Sequence, residues 1–239
     1  MSQTVLSEVS FIQKGTGKDL LLLHGYLSSK EAFAAQVAYF SKFYRVTALD
    51  FLGFGQSAPL KESFSVGDYS RWLVAALHVL GVRKPHVIAH SFGCRVAIKT
   101  AAENVNIFDK MILTGPAGVI LHRGMGYKLR VAAYRLVKKF APRFAEKRFG
   151  SKEYRSLSPI MKESYKKIVN EDLRACAKRV QNRVLIVQGT RDKTVSSAEA
   201  EAYVDAFPWA KMKKIEGGHF AFAENPVVFN LIAEEFLYV

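Results

Sequence analysis

Cysteine is scarce in this chain, and acid is scarce relative to base. Two cysteines, Cys94 and Cys176, among 239 residues exclude a disulfide-stapled scaffold, and no His/Cys spacing has the form of a zinc site. Both are expected to be reduced and structural. Cys94 lies three residues past Ser91 and reads as a small hydrophobe rather than a second nucleophile. No apolar run approaches the roughly 20 residues that a membrane-spanning helix needs. The opening MSQTVLSEVS lacks the basic segment and apolar core of a secretory signal, so a cytoplasmic location is the simplest expectation. Repeats, low-complexity tracts and linker-like stretches are missing as well, which makes one sizeable domain the default.

Asp and Glu number 21 against 35 Lys and Arg, a formal net charge of +14. The excess is local: between Ile120 and Val180, 17 Lys or Arg stand against 5 Asp or Glu. No recognition motif accompanies this charge, so nucleic acid is not the expected partner. A solvated helix face is the ordinary destination of such charge. The alternative is a weak attraction to an anionic substrate or membrane surface, for which helices with one cationic and one apolar face are suited.

What is abundant is the alternation of short apolar runs with helical periods. Strands are expected over Val9–Lys14, Asp19–Leu23, Tyr44–Leu49, His86–Ala89, Lys110–Thr114, Arg183–Gln188 and Lys211–Ile215. Between them, helices are expected from Ser28, with Glu31 completing a capping box, to about Phe40, and over Val66–Leu80, Ser197–Phe207 and Pro226–Tyr238. This order predicts an α/β fold with a mostly parallel, doubly wound sheet covered on both faces. Ligands in such folds sit at the carboxyl ends of the strands. The residues that follow the strands include His24, Gly25 and Tyr26, then Asp50, Ser91 and Phe92, Gly115, Asp192 and His219.

Ser91 is the focus. In AHSFG it stands at an abrupt strand-to-helix junction, with small residues, Ala89 and Gly93, two positions to either side. One reading is a serine that caps the following helix. The other is a nucleophile on a sharp turn, exposed at the strand end, with the Phe92 N–H aimed into the same space. A serine hydroxyl needs a base at neutral pH, which suits histidine, and an aspartate on the far ring nitrogen fixes the tautomer. Ser91, His219 and Asp192 supply these three types, and Gly217-Gly218 lets the chain turn the His219 ring towards Ser91.

Four separated motifs carry a family resemblance over nearly the whole length: LLLLHGY at 20–26, LDFLGFGQSAP at 49–59, AHSFG at 89–93, and VQGTRDKTVS at 187–196 with EGGHFAF at 216–222. Together they resemble the α/β-hydrolase fold, in which the triad follows the chain order Ser, acid, His. The resemblance implies that Ser91 is the nucleophile, His219 the general base and Asp192 the orienting acid. It also implies that the backbone N–H groups of Tyr26 and Phe92 form the oxyanion hole. His24 and Arg95 are candidates at the substrate, although His24 and His90 more readily shape the loops, and Asp50 is expected to fix a loop rather than serve as the acid. The implied activity is a cofactor-free and metal-free serine hydrolase cleaving a small-molecule carboxylic ester.

Other chemistry on the same scaffold stays open. Arg95 resembles an arginine near the nucleophile of the menaquinone-pathway synthase, which leaves a carboxylate-handling lyase, carbon–carbon hydrolysis or a non-catalytic binding module as alternatives. The resemblance divides the chain into a core, residues 1–118 and 183–239, and an inserted helical cap, residues 119–182. Within the cap, amphipathic helices are expected over Tyr127–Phe140, over Pro159–Val169 and around Glu171–Val180.

Overall fold

The computed structural model describes residues 8–121 and 152–238. The expected helix Tyr127–Phe140 lies outside them. Seven strands form one sheet: β1 (Phe11–Lys14), β2 (Asp19–Leu23), β3 (Arg45–Leu49), β4 (His86–His90), β5 (Met111–Thr114), β6 (Val184–Gly189) and β7 (Ala210–Ile215), in the spatial order β1-β3-β2-β4-β5-β6-β7. Only the β1–β3 pair is antiparallel. The interior strands read as continuous apolar runs because both faces are covered: every residue of β2, β4, β5 and β6 is buried. Along β2, Leu21 and Leu23 enter one core and Leu20 and Leu22 the other, as the two-residue period of a strand requires. The edge strand β7 carries five partly or fully exposed residues, Ala210, Lys211, Met212, Lys213 and Lys214, a charged edge that resists strand addition.

Around the sheet, the described helices are α1 (Ala34–Phe40), α2 (Val66–Val79), α3 (Phe92–Glu103), α4 (Lys152–Ser156), α5 (Pro159–Val169), α6 (Arg174–Ala177), α7 (Ser197–Ala206), α8 (Ala221–Glu224) and α9 (Pro226–Tyr238). α2, α3 and α7 cover one face, α1 and α9 the other. Capping boxes at Ser65/Asp68 and Ser196/Glu199 start α2 and α7. Ser158 caps α5, with Pro159 as its first residue.

One expected start is corrected. No capping box forms between Ser28 and Glu31; Ser29 is the cap residue, and the helix opens as a 3₁₀ turn, Lys30–Phe33, before α1. Asp50, at the end of β3, is the physical reason. Its carboxylate accepts from the Lys30 N–H at 2.7 Å and from Lys30 Nζ at 2.8 Å, so the first turn is tied to the sheet. α4–α6 fall between β5 and β6, and α5 is laid over the carboxyl-edge loops: Tyr26 Oη donates to the Met161 carbonyl at 3.3 Å, and the Phe64 N–H donates to Ser164 Oγ at 2.9 Å. Among the described residues, no helix is long and apolar enough to cross a membrane.

Candidate active site

Ser91 sits between β4 and α3 with φ 49° and ψ −106°, a conformation that a side chain rarely adopts. The turn is pinned by its own N–H, which donates to the Thr114 carbonyl at the end of β5 at 3.1 Å, and by its carbonyl, which accepts from the Cys94 N–H at 3.1 Å. Gly93 permits it: a Cβ there would lie 2.3 Å from the Leu23 carbonyl oxygen, so α3 can begin against β2 only without a side chain.

Asp192 and His219 follow β6 and β7, two and three places across the sheet from β4. After β6, the Asp192 N–H donates to the Gly189 carbonyl at 3.2 Å. Asp192 Oδ1 then accepts from the N–H groups of Thr194 at 2.7 Å and Val195 at 3.0 Å, and Oδ2 lies 2.8 Å from His219 Nδ1. Burial alone would raise the Asp192 pKa, but the bonds from His219, Val195 and Thr194 outweigh it and hold the carboxyl below its ordinary value. The His219 loop turns at Gly217, where φ is 142°. It is held by Arg191 N–H to Gly217 O at 2.9 Å and by Gly218 N–H to Glu224 Oε2 at 2.8 Å.

Ser91 borders a cavity of about 280 Å³, whose described walls include Tyr26, Phe92, Arg95, Tyr165 and Thr194; Asp192 and His219 are not among them. Arg95, one helical turn beyond Ser91, is 8% exposed. Its Nη1 donates to the carbonyls of Ile168 at 2.7 Å and Glu171 at 3.0 Å, at the end of α5. Its other N–H groups have no partner among the described residues, and burial pushes its pKa down. Glu199 also borders this cavity, but its Oε2 is occupied by Ser196. A second groove, about 230 Å³ beside Arg183, Lys211 and Phe236, has no Ser, Thr, Cys or His among its described walls.

His24 departs from its expected place at the substrate. It is fully buried and not among the described residues around the cavity. The Phe51 N–H donates to its Nε2 at 3.1 Å, which leaves Nδ1 as the protonated nitrogen, 2.7 Å from the Gly25 carbonyl. Asp50 holds a loop: besides Lys30 it accepts from the Gln56 N–H at 2.9 Å, and a Cβ on Gly55 would fall 2.3 Å from its carboxylate. Sequence reasoning missed Glu224 altogether, and no local signal points to it; only the folded loop brings its carboxylate back to Gly218.

Comparison with known proteins agrees with this architecture. The sequence pattern of the alpha/beta hydrolase fold matches residues 19–156, more than half the chain. A relative in Acinetobacter baylyi, (E)-2-((N-methylformamido)methylene)succinate hydrolase, is 30% identical over 106 residues. That match spans 44% of this chain and 40% of the relative, less than half the length of each. Among solved structures, a meta-cleavage product hydrolase from Pseudomonas fluorescens is similar with TM-score 0.75 and 22% identity, covering 96% of this chain and 94% of that one. A hydrolase from Oleispira antarctica is similar with TM-score 0.80 and 19% identity, covering 99% and 97%.

Proposed function

The chain belongs to the α/β-hydrolase fold family, and from that premise we propose that it is a serine hydrolase that cleaves a small-molecule carboxylic ester through an acyl-enzyme on Ser91. The observation that carries this reading is the His219–Asp192 bond, formed at the same sheet edge as the strained Ser91 turn. With Nδ1–H committed to the carboxylate, His219 keeps its lone pair on Nε2, the nitrogen that takes the Ser91 proton. Ser91 Oγ attacks the ester carbonyl, the alcohol leaves with the proton returned by His219, and water activated by the same nitrogen releases the acid. The backbone N–H groups of Tyr26 and Phe92 act as the oxyanion donors, a contribution of about 10²- to 10³-fold each. Residues 119–182 serve as the cap, with α5 closing over the cavity.

Treatment with a fluorophosphonate, followed by peptide mapping of the adduct, tests this. One adduct on the peptide that contains Ser91 is expected. No adduct on folded protein, or an adduct elsewhere, would refute the assignment.

A second reading concerns the part of the substrate that Arg95 faces. A buried guanidinium that borders the cavity favours a carboxylate in the acyl portion, and the name of the Acinetobacter relative describes a succinate derivative. This reading is compatible with ester cleavage and with carbon–carbon hydrolysis, the class named for the Pseudomonas structure. Arg95→Met is expected to raise KM for a half-ester of a dicarboxylic acid about 10- to 100-fold, the weight of one charged hydrogen bond. KM for the corresponding neutral diester should change less than about twofold. Equal effects on both esters would restrict Arg95 to anchoring α5.

A further inference from the structure

His90, the residue before Ser91, is 1% exposed and spends its polarity in an unusual way. Its Nε2–H donates to the main-chain carbonyl of His219 at 2.9 Å, while Nδ1 is buried with no partner among the described residues. The ring packs 4.7 Å from the His219 ring, 4.6 Å from Phe220 and 4.9 Å from Phe222, measured between centroids. A phenyl ring would fill this apolar space without leaving an orphaned nitrogen, which costs about 1–3 kcal/mol. What a phenyl ring could not supply is the donor to His219.

We infer that His90 is a positioning residue: it fixes the His219 backbone from the β4 side, against the pull of Glu224 on Gly218 from α8, so that the imidazole is held in one place. The two restraints act on successive residues. Gly218 is held through its N–H and His219 through its carbonyl, which leaves the peptide unit between them little freedom. Close to both, a Cβ on Gly25 would fall 2.8 Å from His90 Nδ1 and 3.4 Å from Ser91 Cβ, so the Gly25–Tyr26 backbone, the nucleophile turn and the histidine loop all meet at this one ring. Burial, followed by the neighbouring His219, pushes His90 down to about 3. It therefore stays neutral at working pH and places no second cation beside the imidazolium that forms on His219 during turnover.

This inference rests on His219 being the base, so its test has one arm that needs no catalysis. His90→Phe removes the donor and keeps a ring; His90→Gln keeps an amide N–H that can reach the same carbonyl. In fluorophosphonate labelling, His90→Phe is expected to slow adduct formation at least about tenfold with thermal stability unchanged or raised, and His90→Gln to recover most of the rate. In steady-state ester hydrolysis, kcat falls and KM holds. Labelling within twofold of the parent in folded His90→Phe would make the ring a core filler and overturn the proposal. Equal losses in both variants would overturn it too, because the donor would not be what matters.

If the parent takes no adduct, the catalytic reading fails, and the positional inference is decided by the His219 imidazole resonances in NMR spectra. They must shift or broaden in His90→Phe and stay in place in His90→Gln; the opposite pattern overturns it. Should His90→Phe not fold, the same two readouts on His90→Leu against His90→Gln decide the question.

Discussion

Asp192→Asn is expected to lower kcat for ester hydrolysis by about 10⁴-fold with little change in thermal stability, the size of effect seen when a triad acid loses its charge but keeps its shape. The geometry makes this substitution unusually clean. Oδ1 is bound by two backbone donors, the N–H groups of Thr194 and Val195, and Oδ2 faces His219 Nδ1. An asparagine amide must turn its oxygen to the two N–H groups, because the reverse orientation would set its NH₂ against both. The NH₂ is then presented to His219, which can accept only at Nδ1 and so must carry its proton on Nε2. That is the wrong tautomer to receive a proton from Ser91. Two measurements check this: kcat by ester hydrolysis, and the tautomer by the nitrogen shifts of His219. A variant with kcat within about tenfold of the parent would mean that another group orients the ring.

Much of this candidate site is legible in the sequence because the fold places its chemistry at strand ends, and strand ends are marked by composition. Leu20–Leu23, Val87–Ala89 and Leu185–Val187 are apolar runs that belong between two helical layers, and each is followed by a polar residue, His24, His90 and Gln188, of which the last two still belong to the buried strands β4 and β6. The chain order Ser91, Asp192, His219 then narrows the fold. The Ser158-Pro159 start of α5 was equally visible, since a cap and an N1 proline act locally.

What could not be read depends on contacts between residues far apart in sequence. Ser28 and Glu31 have the right spacing for a capping box, yet Asp50, twenty residues on, takes hold of the first turn instead. Arg95 looks like a residue for substrate alone until its Nη1 is found against the carbonyls of Ile168 and Glu171. His90 and Glu224 carry no motif that says which main-chain atom of the histidine loop each will meet.

The Asp50 contact also sets the largest expected effect on stability. Asp50→Ala should cost about 3–5 kcal/mol, because it strands a buried ammonium along with two backbone donors. The Lys30 side chain is 5% exposed and the Asp50 side chain wholly buried. Burial disfavours the Lys30 charge, but the bonds to Asp50 and Glu31 prevail and hold its pKa above the ordinary value. Without Asp50, Lys30 Nζ keeps Glu31 at 2.9 Å, a carboxylate 56% exposed and therefore well screened, and Gln56 at 3.3 Å. The N–H groups of Lys30 and Gln56 lose their acceptor as well.

Urea unfolding of Asp50→Ala, Lys30→Met and the double variant separates these terms. The double variant is expected to be more stable than the sum of the two single losses implies, because removing Lys30 removes the unpaired charge. Strict additivity would mean that Asp50 stabilises the fold through the Lys30 and Gln56 N–H groups and not through the ion pair. Either result bears on the site, because the turn that Asp50 holds follows directly on Gly25–Tyr26, whose Gly25 carbonyl accepts from the Ser28 N–H at 3.2 Å. Loosening Lys30 therefore loosens the backbone that carries one of the two proposed oxyanion donors, and fluorophosphonate labelling of Ser91 in folded Asp50→Ala should slow along with the loss of stability.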